Sequence, residues 1–263
     1  MISEPEAEPA ENLASDRLPS GDGYVGVPRT AVGVREIVVA VLVVIGISIA
    51  GFVVVALFDP SLTSGGDDEL SDGGALVLQA FTVLGFVVAA FAATMMANRD
   101  DVADAARRLG MRPFGPRIVV TLLIAIASYL FLAAVIAGLL QPRQEDIAET
   151  LGADENATLA VTIAAGVLIV AGAAIGEELF FRGLVFGGIR QRMALWPAAL
   201  ISGVIFGLPH LPTGDLAVGL QLAVFGAVLA WAYERSGTLW APITLHALNN
   251  TLAFLVLIDV IKI

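Results

Sequence analysis

The sequence predicts an all-α fold, a polytopic transmembrane helical bundle of about seven spans. Three observations predict it. Of 263 residues, 57% are hydrophobic and 15% charged, with mean hydropathy +0.86; a soluble domain of this length lies nearer about 45–50% apolar. The apolar residues fall in runs long enough to cross a bilayer. The charges fall between those runs and in the N-terminal tail. Cysteine is absent, so disulfides, thiol nucleophiles and Cys-bound metals are excluded. The net charge of −11 comes from acids concentrated in the tail and two loops, and nothing in the chain points to nucleic acid. Lys262 is the only lysine beside many arginines, a bias that suits a GC-rich bacterial genome.

Residues 1–33 are rich in Glu, Pro, Ala, Ser and Gly without an apolar block, which predicts a disordered acidic tail. They lack the basic, apolar and small-residue order of a signal peptide, so the first span is expected to serve as the insertion signal. Apolar runs follow at about 34–58, 74–97, 117–140 and 158–189, then at about 195–210, 217–233 and 238–258. The first three make an N-terminal group of membrane helices over 34–140. The last four make a second unit over 158–258. Between the second and third runs, DVADAARRLGMRPFG (101–115) has few apolar residues and reads as a surface helix near the headgroups. No internal repeat is visible, so the inverted-repeat signature of many transporters is missing.

The arginines set an orientation. Loop 59–73 holds five acids and no base, and loop 141–157 has only Arg143 among many acids. Loop 98–117 holds Arg99, Arg107, Arg108, Arg112 and Arg117; Arg190 and Arg192 follow the fourth run and Arg235 the sixth. This alternation predicts a cytoplasmic N-terminus and an outer C-terminus.

Within the apolar runs the ionisable residues are Glu177, Glu178, Arg182, His210 and His246, and the chain has no other histidine. A charge in such a setting costs several kcal/mol unless it is paired or working. Glu178 and Arg182 are spaced i,i+4 with the acid first, the better order for an ion pair. Glu177 is turned about 100° from Glu178 and faces elsewhere. His246 and Asn250 are also i,i+4. Counted at 1.5 Å per residue from the flanking arginines and Trp196, Glu177 lies about 20 Å deep, His210 about 21 Å and His246 about 16 Å. Each has a plain structural reading: a buried ion pair, a histidine capping a turn, an interhelical hydrogen bond. Glu177, His210, His246 and Asn250 at one depth point instead to a shared reaction site.

That set can activate a water, with Glu177 as general base and imidazole or amide N–H groups stabilising an oxyanion. The same four residues could hold a divalent metal such as Zn²⁺. Other protease chemistries fit poorly. There is no HExxH, Ser202–Gly203 lacks the first glycine of a GxSG motif, and TGD at 213–215 is not GxGD.

Three motifs carry a resemblance. EELFFR (177–182) matches EExxxR, FGLPH (206–210) matches FxxxH, and SGTLWAPITLHALNN (236–250) matches a Ser-Gly-x-Leu-Trp-x-Pro lead into HxxxN. In this order the chain resembles the CPBP family of CAAX-processing and bacteriocin-processing membrane endopeptidases, also called the Abi family, over about 158–258. The resemblance implies an all-helical intramembrane endopeptidase, dependent on glutamate or on metal, acting on membrane-associated proteins or peptides. It implies that Glu177 and His210 activate water, that His246 and Asn250 stabilise the oxyanion or complete the site, and that Glu178 and Arg182 support it. Eukaryotic relatives trim prenylated proteins, and bacterial ones are associated with bacteriocin maturation, immunity and regulated proteolysis. Two other functions use the same residues: a non-catalytic immunity or scaffold protein that binds in the pocket, and a proton-coupled transporter, which the missing repeats disfavour.

Overall fold

The computed structural model describes residues 26–59, 70–140, 158–213 and 216–258. Every element among them is helical. Most of the predicted acidic tail and all of loop 141–157 lie outside the described residues.

All seven predicted apolar runs are helices, with the predicted surface helix between the second and third. α1 (Val34–Phe58) and α2 (Asp72–Asn98) form a hairpin. Its hinge is tied where the Ser71 hydroxyl donates to Asp59 Oδ2 at 2.6 Å and accepts from the Gly74 amide, capping α2. α3 (Val102–Arg108) is one short amphipathic stretch capped by Asp101. α4 (Arg117–Leu140) precedes α5 (Leu159–Arg190), the longest helix. α6 (Leu195–Gly207) runs into a 3₁₀ turn, Leu208–Thr213. α7 (Leu216–Ser236) and α8 (Trp240–Leu257) complete the bundle. The helices α1, α2, α4, α5 and α7 are long and apolar enough to cross a membrane; α6 is shorter, and α8 carries Thr244, His246, Asn249 and Asn250 among its apolar residues.

Their apolar side chains have few partners inside the protein. On α1 and α4 only 11% of the most apolar window is buried, whereas on α7 half of it is. Such an exposed apolar surface is a lipid-facing surface. The chain is a helical membrane protein with α5 and α7 near its centre and α1 and α4 at its rim.

α2 lies along α5 through small residues and aromatics. Gly176 brings the helices close enough that a Cβ would stand 3.2 Å from the Val83 carbonyl. Phe86 packs on Phe180 and Phe181, with ring centroids at 5.2 and 5.6 Å. Residues 26–33, taken above with the tail, are packed instead of free. Val32 is 1% exposed, its carbonyl accepts from Arg192 at 2.8 Å, and Ala31 N–H donates to Asn98. The apolar Val27 and Val32 explain why the packed part of the chain begins before α1. At the same end, the loop after α3 is held by Tyr233, whose hydroxyl donates to the Leu109 carbonyl at 3.0 Å, and by Thr238, which donates to Arg112 O at 2.8 Å.

The closest helix pair is α6 with α7. Gly203 and Gly207 face the α7 backbone, and Gly226 faces Gly203 in return. Small residues let backbones approach where lipid offers no hydrophobic drive for association. A Cβ on Gly203 would collide with the Ala223 carbonyl, and backbone cannot move aside as a side chain can. Gly203→Ala is therefore expected to cost about 1–3 kcal/mol, as overpacking does. Gly138→Ala meets nothing within 4 Å and is the control. Thermal unfolding in detergent should show a lowered Tm for the first variant and an unchanged or raised one for the second.

Candidate active site

The site is built on α5, and α5 is not a uniform α-helix. It winds as a π-helix over Val167–Ala173 and again over Glu178–Phe186, with Glu177 at the end of the α-helical turn between them. π-turns are rare and frequent at functional sites. A wide turn also presents carbonyls to neighbouring helices. The Asn250 side chain on α8 donates to Ile169 O at 2.9 Å in the first stretch. The Ser202 hydroxyl on α6 donates to Phe181 O at 3.4 Å in the second. Each stretch is thereby pinned by a polar side chain from another helix, which satisfies backbone groups that lipid cannot.

From Glu178 to Gly188 every residue is buried. Glu178 and Arg182 have fully enclosed side chains, and Arg182 Nη1 donates to Glu178 Oε1 at 2.8 Å. The predicted i,i+4 pair forms despite the π-winding, because four residues nearly close a turn in either geometry. Arg182 Nη2 also donates to the Gly226 carbonyl on α7 at 3.3 Å, and its guanidinium stands 4.3 Å from the Phe206 ring centroid. One arginine thus ties α5 to α7 and stacks on α6.

Spacing alone assigns Glu178 to Arg182. The fold gives it a second donor, because α8 brings His246 in from across the bundle. His246 Nδ1 donates to the same Glu178 Oε1 at 2.8 Å, and its Nε2 faces Glu177 Oε2 at 3.9 Å. The two glutamates are adjacent in sequence and point about a quarter-turn apart, so they stand at opposite edges of one imidazole. With Nδ1 donating, the neutral ring presents Nε2 towards Glu177 as its acceptor.

His210 lies in the 3₁₀ turn after α6, half-buried, with Nδ1 donating to Phe206 O at 3.1 Å. Its ring and that of His246 both pack on Phe206, at 5.5 and 5.7 Å between centroids. Both histidines thus contact one aromatic side chain. Asn250 is less simply placed. One of its N–H groups is spent on Ile169 O, and its Oδ1 accepts from Asn249 at 3.5 Å.

The donor set bears on a metal. Among the described residues no three His, Asp or Glu side chains converge as ligands. His246 and His210 each give Nδ1 to an oxygen, that of Glu178 and that of the Phe206 backbone, which leaves Nε2 as the open nitrogen of each ring, and the Asn250 nitrogen, a donor only, is turned to a carbonyl.

Residues 159–252 match the type II CAAX prenyl endopeptidase Rce1-like family. The chain carries an Rce1-like domain. All six residues singled out from the sequence lie within it. Over 110 residues the chain is 31% identical to "Putative membrane peptidase YdiL" of Bacillus subtilis (strain 168), covering 41% of this chain and 44% of that protein. Over 85 residues it is 33% identical to an "Uncharacterized 24.3 kDa protein" of Escherichia coli, covering 32% of this chain and 39% of that one. The chain thus matches less than half the length of these curated relatives. No solved structure matches at comparable stringency. The Rce1-like domain begins with α5, so α2, which braces α5, lies outside it.

Sequence reasoning missed the His246–Glu178 bond and two polar pairs. Arg190 on α5 pairs with the buried Glu234 on α7 at 2.8 Å. Tyr129 on α4 has Gln221 on α7 as a polar neighbour. The signal available for both was a lone polar residue inside or at the end of an apolar run.

Glu178 Oε2 and Arg182 Nε have no hydrogen-bond partner among the described residues. The pair is thus already incompletely satisfied, and losing one partner leaves the other charge buried alone, at roughly 3–5 kcal/mol. Arg182→Ala should lower the Tm in detergent markedly more than Glu177→Ala, whose carboxylate is partly exposed and makes no tight bond. Equal melting temperatures would contradict the structural role given to Arg182.

Proposed function

We propose that the Rce1-like domain is an intramembrane endopeptidase that hydrolyses peptide bonds of membrane-associated proteins or peptides. Glu177 is the general base. It takes a proton from a water, the oxygen attacks the carbonyl carbon, and the proton then passes to the departing amine. His210, which packs on Phe206 as His246 does, helps hold the water. In this reading the second N–H of Asn250, and Nε2 of His246 once the ring takes a second proton, donate to the oxyanion. Glu178 and Arg182 act through His246, holding its ring edge-on to Glu177. The observation that carries this reading is that Glu177 and Glu178 bracket His246 within a buried apolar bundle. The match to a peptidase family and the similarity to YdiL support it.

The reading does not require a metal. An amide is a poor Zn²⁺ ligand beside His or carboxylate, whereas its N–H suits an oxyanion. The arginine-rich loops favour a multi-pass protein of the cell membrane with its N-terminus in the cytoplasm and C-terminus outside.

The test compares membrane-protein fragments in host cells carrying wild type, Glu177→Ala or His246→Ala. Both substitutions should abolish a common set of fragments while each variant remains folded and in the membrane. Fragments unchanged in either variant would remove that residue from the chemistry, and a protein that binds without cutting would then be the better description. Purified protein treated with a membrane-permeant chelator should keep its activity. Loss on stripping and recovery with substoichiometric Zn²⁺ would show that the metal is required.

A further inference from the structure

Tyr129 carries a polar approach of the rim helix α4 to the bundle. Tyr129 is half-buried on the face that also carries Leu122, Ala125 and Ile126, and its hydroxyl lies beside the Gln221 side chain of α7. The Tyr129 ring stacks on Phe225 at 4.4 Å between centroids. Phe225 in turn packs edge-on against His246 at 5.7 Å. Gln221 and Phe225 are i,i+4 on α7, so they share a face about 6 Å apart. A line of contact therefore runs from the amide of Gln221, through Tyr129 and Phe225, to the imidazole at the site.

An amide within an apolar helix is costly. Gln221 has two N–H donors and two acceptor lone pairs, more than one neighbouring hydroxyl can use. A peptide drawn into the bilayer has the complementary problem. To be cleaved it must be unwound, and each unwound peptide group then bares an N–H and a C=O that lipid cannot satisfy. A side-chain amide offers one donor and one acceptor in a plane, the pattern that a peptide group lacks there. An extended chain advances about 3.3 Å per residue; a group about 6 Å along α7 from Phe225, which itself stands 5.7 Å from the His246 ring, corresponds to about three residues from the bond at His246.

Resting on the peptidase reading above, we propose that Gln221, steadied by Tyr129, is a subsite for the substrate backbone about three residues from the scissile bond. Phe225 supplies the apolar wall beside it. The subsite takes an extended, uncharged peptide and reads its backbone, so side-chain identity matters little at that position.

The test uses wild-type protein in proteoliposomes with a quenched fluorescent apolar peptide bearing a farnesylated cysteine. A second peptide carries an ester in place of the amide about three residues from the cleaved bond, on either side in turn. Gln221→Leu should raise KM about tenfold on the amide peptide with little change in kcat, the mark of lost uniform binding. In wild type one ester peptide should be about tenfold poorer than its amide parent, and Gln221→Leu should erase that difference. Tyr129→Phe should shift KM in the same direction by less. A Tm near wild type confirms that the variants fold. An ester penalty that survives in Gln221→Leu overturns the subsite and leaves the amide as interhelical glue. A second arm reads binding alone, as photocross-linking of a benzophenone-bearing peptide in a Glu177→Ala background. Cross-linking should fall with Gln221→Leu. If wild type cleaves neither peptide, the peptidase reading has failed for this substrate class, and the cross-link still decides the subsite. A yield indifferent to Gln221→Leu, or no cross-link, overturns it.

Discussion

Oε1 of Glu178 is a single carboxylate oxygen, wholly enclosed, that accepts from Arg182 on its own helix and from His246 on another. In a bilayer such an oxygen has no water to fall back on, so each of the two bonds lowers the cost of burying the charge. The geometry of the rest follows. α8 must approach α5 closely enough for the imidazole to reach Glu178. α7 must present the Gly226 carbonyl to Arg182, and α6 must place Phe206 beneath the guanidinium. The cost of the buried charges is thereby converted into a fixed position for one histidine ring, with its second nitrogen aimed at Glu177.

The bundle around this centre divides by stiffness. The α6–α7 crossing, glycine against backbone, and the aromatic contact of α2 with α5 hold the helices that carry Phe206, Glu177 and Glu178. Tyr233 and Thr238 fasten the turn between α7 and α8 to the loop after α3. α4 is held to α7 by Tyr129, which meets Phe225 and Gln221. It leans on α7 through one row of side chains and offers the rest to lipid.

The fold class and the positions of the helices were legible because hydropathy alone decides which segments stay in lipid. The Glu178–Arg182 pair was legible because i,i+4 contacts are local. The shared use of Glu178 was not, since no local spacing relates residue 178 to residue 246. Depth counting put Glu177, His210 and His246 near one another, but it has no angular information and could not say which nitrogen meets which carboxylate. Asn250 shares a helical face with His246, and that much the spacing showed. That one of its N–H groups is taken by Ile169 depends on a π-turn, for which the run of Val, Leu, Ile and Ala carries no mark. Tyr129 and Gln221 were passed over because each looks, in isolation, like a tolerated polar residue in an apolar run.

The two wide turns of α5 have a consequence for how this chain can change in length. A π-turn is an α-helix holding one residue more than it needs. Removing a residue between Glu178 and Phe186 would let the segment relax to ordinary winding, with hydropathy and helix propensity almost untouched. The wide winding turns less per residue than an α-helix does, so tighter winding of the residues that remain largely makes up for the one removed, and the two ends of α5 turn relative to each other by much less than the roughly 100° of one α-helical residue. Arg190 and Arg192, anchored at one end, could then stay with Glu234 and Val32 while Glu177 and Glu178 stay near His246. In an ordinary α-helical stretch the same deletion is transmitted as a full rotation. The wide turns are the places where this helix can change in length with the least turning of its two ends.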